Sequence, residues 1–107
     1  MILYNVTVKI DLQVEKDWLE WMRNEHIPEV VATGMFSDAR IMKLLGYDDR
    51  EGITYAVQYS CPSMADLKTY QKEYAKDLQA KHTERYKDQY VAFRTLMEEV
   101  WTSGESD

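Results

Sequence analysis

With 107 residues, 45% hydrophobic and 30% charged, the chain has room for one domain with a real core, which excludes disorder as its dominant state. A net charge of −6 and a pI near 4.9, with Lys and Arg interleaved among acids, exclude nucleic acid as an expected partner. A lone Cys61 precludes an intrachain disulfide and fits a reduced cytoplasmic setting; Met1 to Asn5 lacks the basic start and long apolar stretch expected of a signal peptide, and no apolar run approaches the roughly 20 residues of a membrane span.

Ile2 to Ile10 alternates with a period of two, placing Tyr4, Val6 and Val8 on one face and Leu3, Asn5 and Thr7 on the other, which predicts a strand. From Val14 to His26 the spacing turns helical, with Trp18, Trp21, Met22 and Glu25 on a wide aromatic stripe. Ile27 precedes Pro28, so the helix is expected to break there, with a short further turn ending at Gly34. A second strand is predicted from Met35 to Leu45, then a polar loop over Gly46–Gly52. A third strand follows over Ile53–Ser60. Ser63 and Asp66 form a capping pattern at the start of a long helix reaching about Lys81. Val91–Val100 is the last strand, and residues 102–107 are expected to form a flexible tail after a single domain over 1–101.

The order βαββαβ implies an α+β, ferredoxin-like antiparallel sheet with two helices on one face. The other face is expected to carry Leu3, Asn5, Thr7, Ala56, Gln58 and Ser60, together with Arg40, Met42, Arg94 and Leu96. It holds too few charges for a solvent face and too many polar groups for a dry core. A homodimer closing two such faces around a cavity would satisfy both.

Over nearly its whole length the chain resembles the uncharacterised bacterial DUF4286 family. The resemblance rests on Tyr4-Asn5-Val6-Thr7-Val8, Trp18-Leu19-Glu20-Trp21-Met22, Glu25-His26-Ile27-Pro28, Thr33-Gly34, Ile53 to Tyr59, His82-Thr83-Glu84-Arg85-Tyr86 and Val91 to Leu96. It implies a dimeric α+β barrel and supplies no reaction. Haem-degrading proteins of that fold use an Asn, a Trp and a His. Asn5 and His82 are similarly placed, but no Trp lies between Ile53 and His82, so the match is incomplete.

Among individual residues, His26 is the candidate catalytic group. It sits where the helix is expected to end, a position that favours imidazolium, beside Glu25. The plainer reading is that it caps the helix end. His82 and Arg85 are candidates to hold an anion or polarise a carbonyl, against a capping role and a weak surface ion pair. Arg40 and Arg94, in strands, would need a carboxylate such as Glu98 or a ligand. Asn5, Thr7 and Gln58 could hydrogen-bond a ligand, whereas Tyr55 and Tyr59 read better as packing against Trp18 and Trp21. Asp48, Asp49 and Glu51 lack a calcium-loop spacing, two distant histidines and one cysteine make no zinc set, and the sequence identifies no cofactor. The expectation is therefore a homodimer that binds a small, anionic or aromatic metabolite. The alternatives are a metal-independent monooxygenase, isomerase or cyclase, and an interaction module with a filled interior.

Overall fold

The computed structural model describes residues 1–104, so the expected tail at 102–107 lies outside the described residues from 105 onward. Strand β1 (Ile2–Asp11) is the most evenly alternating segment, and it takes a central place in a four-stranded antiparallel sheet. It pairs with β3 (Gly52–Cys61) on one side and β4 (Tyr90–Glu98) on the other, and β2 (Asp38–Lys43) lies outside β3. The order β2-β3-β1-β4 is the ferredoxin-like arrangement that the βαββαβ reading implies.

Register decides which side chains share a face. Val6 lies between Val57 and Arg94, and Tyr4 between Tyr59 and Leu96, all on the helix side of the sheet. Asn5 lies between Gln58 and Thr95, and Thr7 between Ala56 and Phe93, on the open face. Arg40 and Met42 pair with Gln58 and Ala56, on the open face as expected. Arg94 and Leu96 are not on it. The two faces of β4 are nearly balanced in polarity, so hydropathy alone gives no phase, and a slip of one residue exchanges every side chain between faces.

The first helical stretch corrects the expected break at Pro28. After a short turn at Leu12–Val14, helix α1 (Glu15–Trp21) runs through a π-helical segment, Met22–His26, into helix α2 (Ile27–Ala32) without leaving helical backbone. Proline lacks an N–H and its ring crowds the carbonyl four residues back. A wider turn relieves both problems: Ile27 N–H donates to Met22 O, five residues back, and Pro28 enters at the start of α2. Gly34 then takes φ +85°, as a helix stop requires, and its N–H donates to Val31 O.

Strand β2 begins at Asp38 rather than Met35, because Phe36 is drawn into the core instead of the sheet. Its ring stacks on Tyr4 at 5.9 Å and meets Tyr70 edge-on at 4.8 Å. Ser63 caps helix α3 (Met64–Glu73), its hydroxyl accepting from Asp66 N–H as the capping pattern predicts. Tyr74, with φ −124°, divides the expected single helix into α3 and α4 (Ala75–Arg85), whose end lies one turn beyond Lys81. The core between sheet and helices centres on Val8, Ile10, Trp18, Val57, Leu67 and Tyr86, all nearly or fully buried. No helix among the described residues is long and apolar enough to cross a membrane.

Candidate functional site

The helices do not seal the sheet completely. A cavity of about 120 Å³ remains between the first helical stretch, α4 and the β1–β4 side of the sheet. Tyr4, Val6 and Val8 form its floor with Val57 and Tyr59, while Met22, His26, Val30 and His82 reach it from the helices. β4 is an edge strand, and its Tyr90, Ala92 and Arg94 border the cavity where the layer opens. The expected cavity between two sheets would lie on the opposite face.

The π segment explains how His26 arrives there. In a regular α-helix, residues five apart point about 140° away from each other. Here Trp21 and His26, five apart, stack with centroids 4.8 Å apart and planes inclined by 21°. The His26 ring faces His82 from α4 at 5.9 Å. His26 therefore caps no helix terminus, and the setting that would favour imidazolium is absent. Burial instead lowers its pKa to about 4; Lys81 and Arg94 act in the same direction, and Glu29 opposes them. Its Nδ1 is buried without a hydrogen-bond partner.

His82 is likewise no cap. Its Nε2 accepts a hydrogen bond from the Trp18 indole N–H at 2.9 Å, and Tyr90 meets its ring edge-on at 4.5 Å. Burial, then the neighbouring His26 and Arg94, lowers its pKa to about 4. Both imidazoles are neutral at pH 7, and among the described residues neither is hydrogen-bonded to a carboxylate. Glu25, beside His26 in sequence, is exposed on the outer surface.

Arg94 brings a fixed positive charge to the opening. Its Nε donates to Tyr4 OH at 3.0 Å, a phenol partner in place of the expected Glu98 carboxylate. Tyr59 and Tyr70 also border the cavity, and burial raises both of their pKa values, so they stay protonated.

The remaining sequence candidates lie elsewhere. Asn5 and Gln58 sit side by side on the open face, where Asn5 donates to Thr7 Oγ1 and Arg40 donates to Gln58 Oε1 at 3.5 Å. Asn5 and His82 thus occupy opposite faces of the sheet, which separates the pair that resembled a haem-degrading site. Arg85 lies on the outer surface, over the Trp21 ring and 3.4 Å from Asp17. Of the two tyrosines read as core, Tyr55 packs on Trp18 at 5.2 Å, whereas Tyr59 packs on Tyr4 and Phe36. No three His, Cys, Asp or Glu side chains among the described residues come together as a metal site.

Residues 1–100 match the domain of unknown function DUF4286. The chain belongs to that family. No curated protein matches the DUF4286 chain at a significant level. Among solved structures it is similar to HapK from Hahella chejuensis, at 8% identity and a TM-score of 0.69, with 100% of each chain covered. It is also similar to an ethyl tert-butyl ether D (EthD) family protein from Bacillus halodurans, at 12% identity and a TM-score of 0.66 over 94% of this chain and 100% of that one. A dimeric ferredoxin-like protein from an uncultured marine organism matches at 11% identity and a TM-score of 0.68, over 95% and 97% of the two chains. These likenesses establish the fold.

Sequence reasoning missed Tyr4, Tyr70, Gln79 and Tyr90 as cavity residues of the DUF4286 chain. Gln79 and His82, three apart in one helix, share a face, and that spacing was a usable signal. Tyr90 gave none, because its side depends on the phase of β4.

Proposed function

We propose that this DUF4286 protein binds a small planar compound bearing one anionic or strongly polarised oxygen in the cavity beneath its helices. The observation that carries this reading is the donor character of the site. Arg94 retains its two terminal nitrogens for a ligand, the protonated tyrosines have O–H groups to offer, and no carboxylate among the described residues borders the cavity. A donor-lined pocket calls for acceptors on the ligand. The aromatic and aliphatic walls favour a flat apolar body, and the volume lies well below the roughly 300–1,000 Å³ of sites for drug-sized molecules.

Metal-independent catalysis is the weaker reading. Imidazoles with pKa values near 4 are poor proton acceptors at pH 7, and no carboxylate orients them. Thermal-shift measurements separate ligand classes, because a compound that prefers the folded state raises its melting temperature. Benzoate or 4-nitrophenol is expected to raise the Tm and benzylamine to leave it unchanged. Arg94→Gln is expected to weaken the anions roughly tenfold. Equal stabilisation by benzylamine, or insensitivity to Arg94→Gln, refutes the reading.

We also propose that the protein is a homodimer closed through the open sheet face. Val91 is 68% and Phe93 63% exposed there on β4, near Met97, while Met42 lies across the face on β2, with polar Asn5, Thr7 and Gln58 between the two edges. Large exposed apolar side chains on a sheet face with few charges favour a protein partner over water. Likeness to a structure described as a dimeric ferredoxin-like protein supports a second copy as that partner. In sedimentation velocity the wild type is expected to run as a dimer and Phe93→Asp as a folded monomer. A wild type that stays monomeric at tens of micromolar rules the dimer out.

A further inference from the structure

Histidine in a binding pocket can act as a donor, an acceptor or a charge, and the bond it makes behind the pocket decides which. We propose that His82 is a fixed donor: Trp18 holds its imidazole in the Nδ1–H form, and that N–H serves the ligand's oxygen together with Arg94. This rests on the anion-binding reading of the cavity and narrows the ligand to a phenolate or enolate.

An indole N–H donates and cannot accept. The 2.9 Å contact from Trp18 Nε1 to His82 Nε2 therefore requires a bare nitrogen at Nε2. Imidazolium, or a proton on Nε2, would set two N–H groups head to head. A neutral ring with Nε2 bare carries its single proton on Nδ1. Burial acts in the same direction by disfavouring the charged ring. Among the described residues, Nδ1 has no hydrogen-bond partner, and unlike His26 Nδ1 it is not fully buried. His82 borders the cavity and its Nε2 is taken by Trp18, which leaves Nδ1 as the ring nitrogen for a ligand. Trp18 is itself completely buried, and Tyr90 packs edge-on against the imidazole, so the ring has little freedom to turn. Trp18 touches no cavity space and acts as a positioning residue.

The planar ligand follows from the walls. An oxyanion on a flat ring can take a neutral N–H from His82 and a charged one from Arg94 while its ring lies among Tyr4, Tyr59 and Val57. A phenol whose anion is favoured in this way binds in its ionised form at a pH where it is protonated in water.

Long-range 1H–15N spectra of the ligand-free protein at pH 7 read both nitrogens of His82. Protonated Nδ1 with bare Nε2 is the expected result, and Nε2–H or imidazolium overturns the inference. The ligand half is read with 4-nitrophenol, whose anion absorbs at longer wavelength than the acid. It is expected to bind as the phenolate below its solution pKa. His82→Leu is expected to lower its affinity roughly tenfold, and His82→Asn, which keeps an amide N–H near Nδ1, to restore most of it. Trp18→Phe is expected to lower affinity in the wild-type background and to add nothing in the His82→Leu background. Independent losses overturn the positioning role. If Trp18→Phe fails to fold, the spectra and the two His82 variants decide. Failure of 4-nitrophenol, benzoate and other small anions to bind refutes the cavity reading and the role of His82 with it; binding alongside a protonated Nε2 refutes only the present inference.

Discussion

Trp18→Ala is expected to destabilise the protein by about 3–5 kcal/mol, the range for removing a large aromatic side chain from a core. Trp18 is fully buried, packs on Tyr55 at 5.2 Å and donates to His82. Truncation therefore opens a cavity and leaves the buried His82 Nε2 without its donor, and both effects act in the same direction. Against a typical domain stability of about 5–15 kcal/mol, the variant should stand near the edge of folding at 37 °C. Urea denaturation monitored by far-UV circular dichroism checks this through the shift in midpoint at constant slope. A loss below about 1 kcal/mol would place Trp18 outside the cooperative core.

Acidification is expected to destabilise the protein well before its carboxylates titrate. His26 and His82 have folded-state pKa values lowered from 6.5 to about 4. Between those limits the unfolded chain binds protons that the folded chain refuses. Stability is therefore complete above about pH 6.5 and falls as pH drops toward 4, where the loss levels off. The bound is about 3 kcal/mol for each histidine, with a steepest slope near 2.7 kcal/mol per pH unit if both act together. The groups facing His26 set how closely that bound is approached: Glu29 raises its pKa, while Lys81 and Arg94 lower it. Denaturation free energies at pH 7.5, 6.0 and 5.0 measure the slope, and His82→Gln should reduce it by about half. A flat profile across this range would mean that both rings are solvated in the folded state.

The parts of the fold that were legible in the sequence are those where one periodicity has no rival. β1 and β3 alternate cleanly, so their faces follow directly, and Ser63–Asp66 marks a helix start through chemistry local to four residues. β4 failed because Val91, Phe93, Thr95 and Met97 make as plausible an inner face as Ala92, Arg94 and Leu96. Only pairing with β1 fixes the phase, and pairing is not a local property. Pro28 misled for a related reason: its effect on the preceding turn depends on whether the helix can widen, and Met22–His26 does so. The site inherited both errors. His26 and His82 stand out as the only histidines, but their meeting requires α4 to pack beside the π segment, and Arg94 joins them only through the register of β4. Asn5, Arg40 and Gln58 were correctly grouped with one another, on the face away from the cavity.

The widened turn at Met22–His26 also sets a constraint on the length of the chain. It holds one residue more than a regular helix would need to cover the same rise. Deleting a solvent-exposed residue such as Asn24 would close the backbone into uninterrupted α-helix and set Pro28 inside it, against the carbonyl four residues back. The same deletion would leave Trp21 and His26 four apart and Trp18 and His26 seven apart, spacings that a regular helix keeps within about 40° of one face. The pairing of the rings is compatible with either geometry, and what the extra residue accommodates is a proline within a continuous helix.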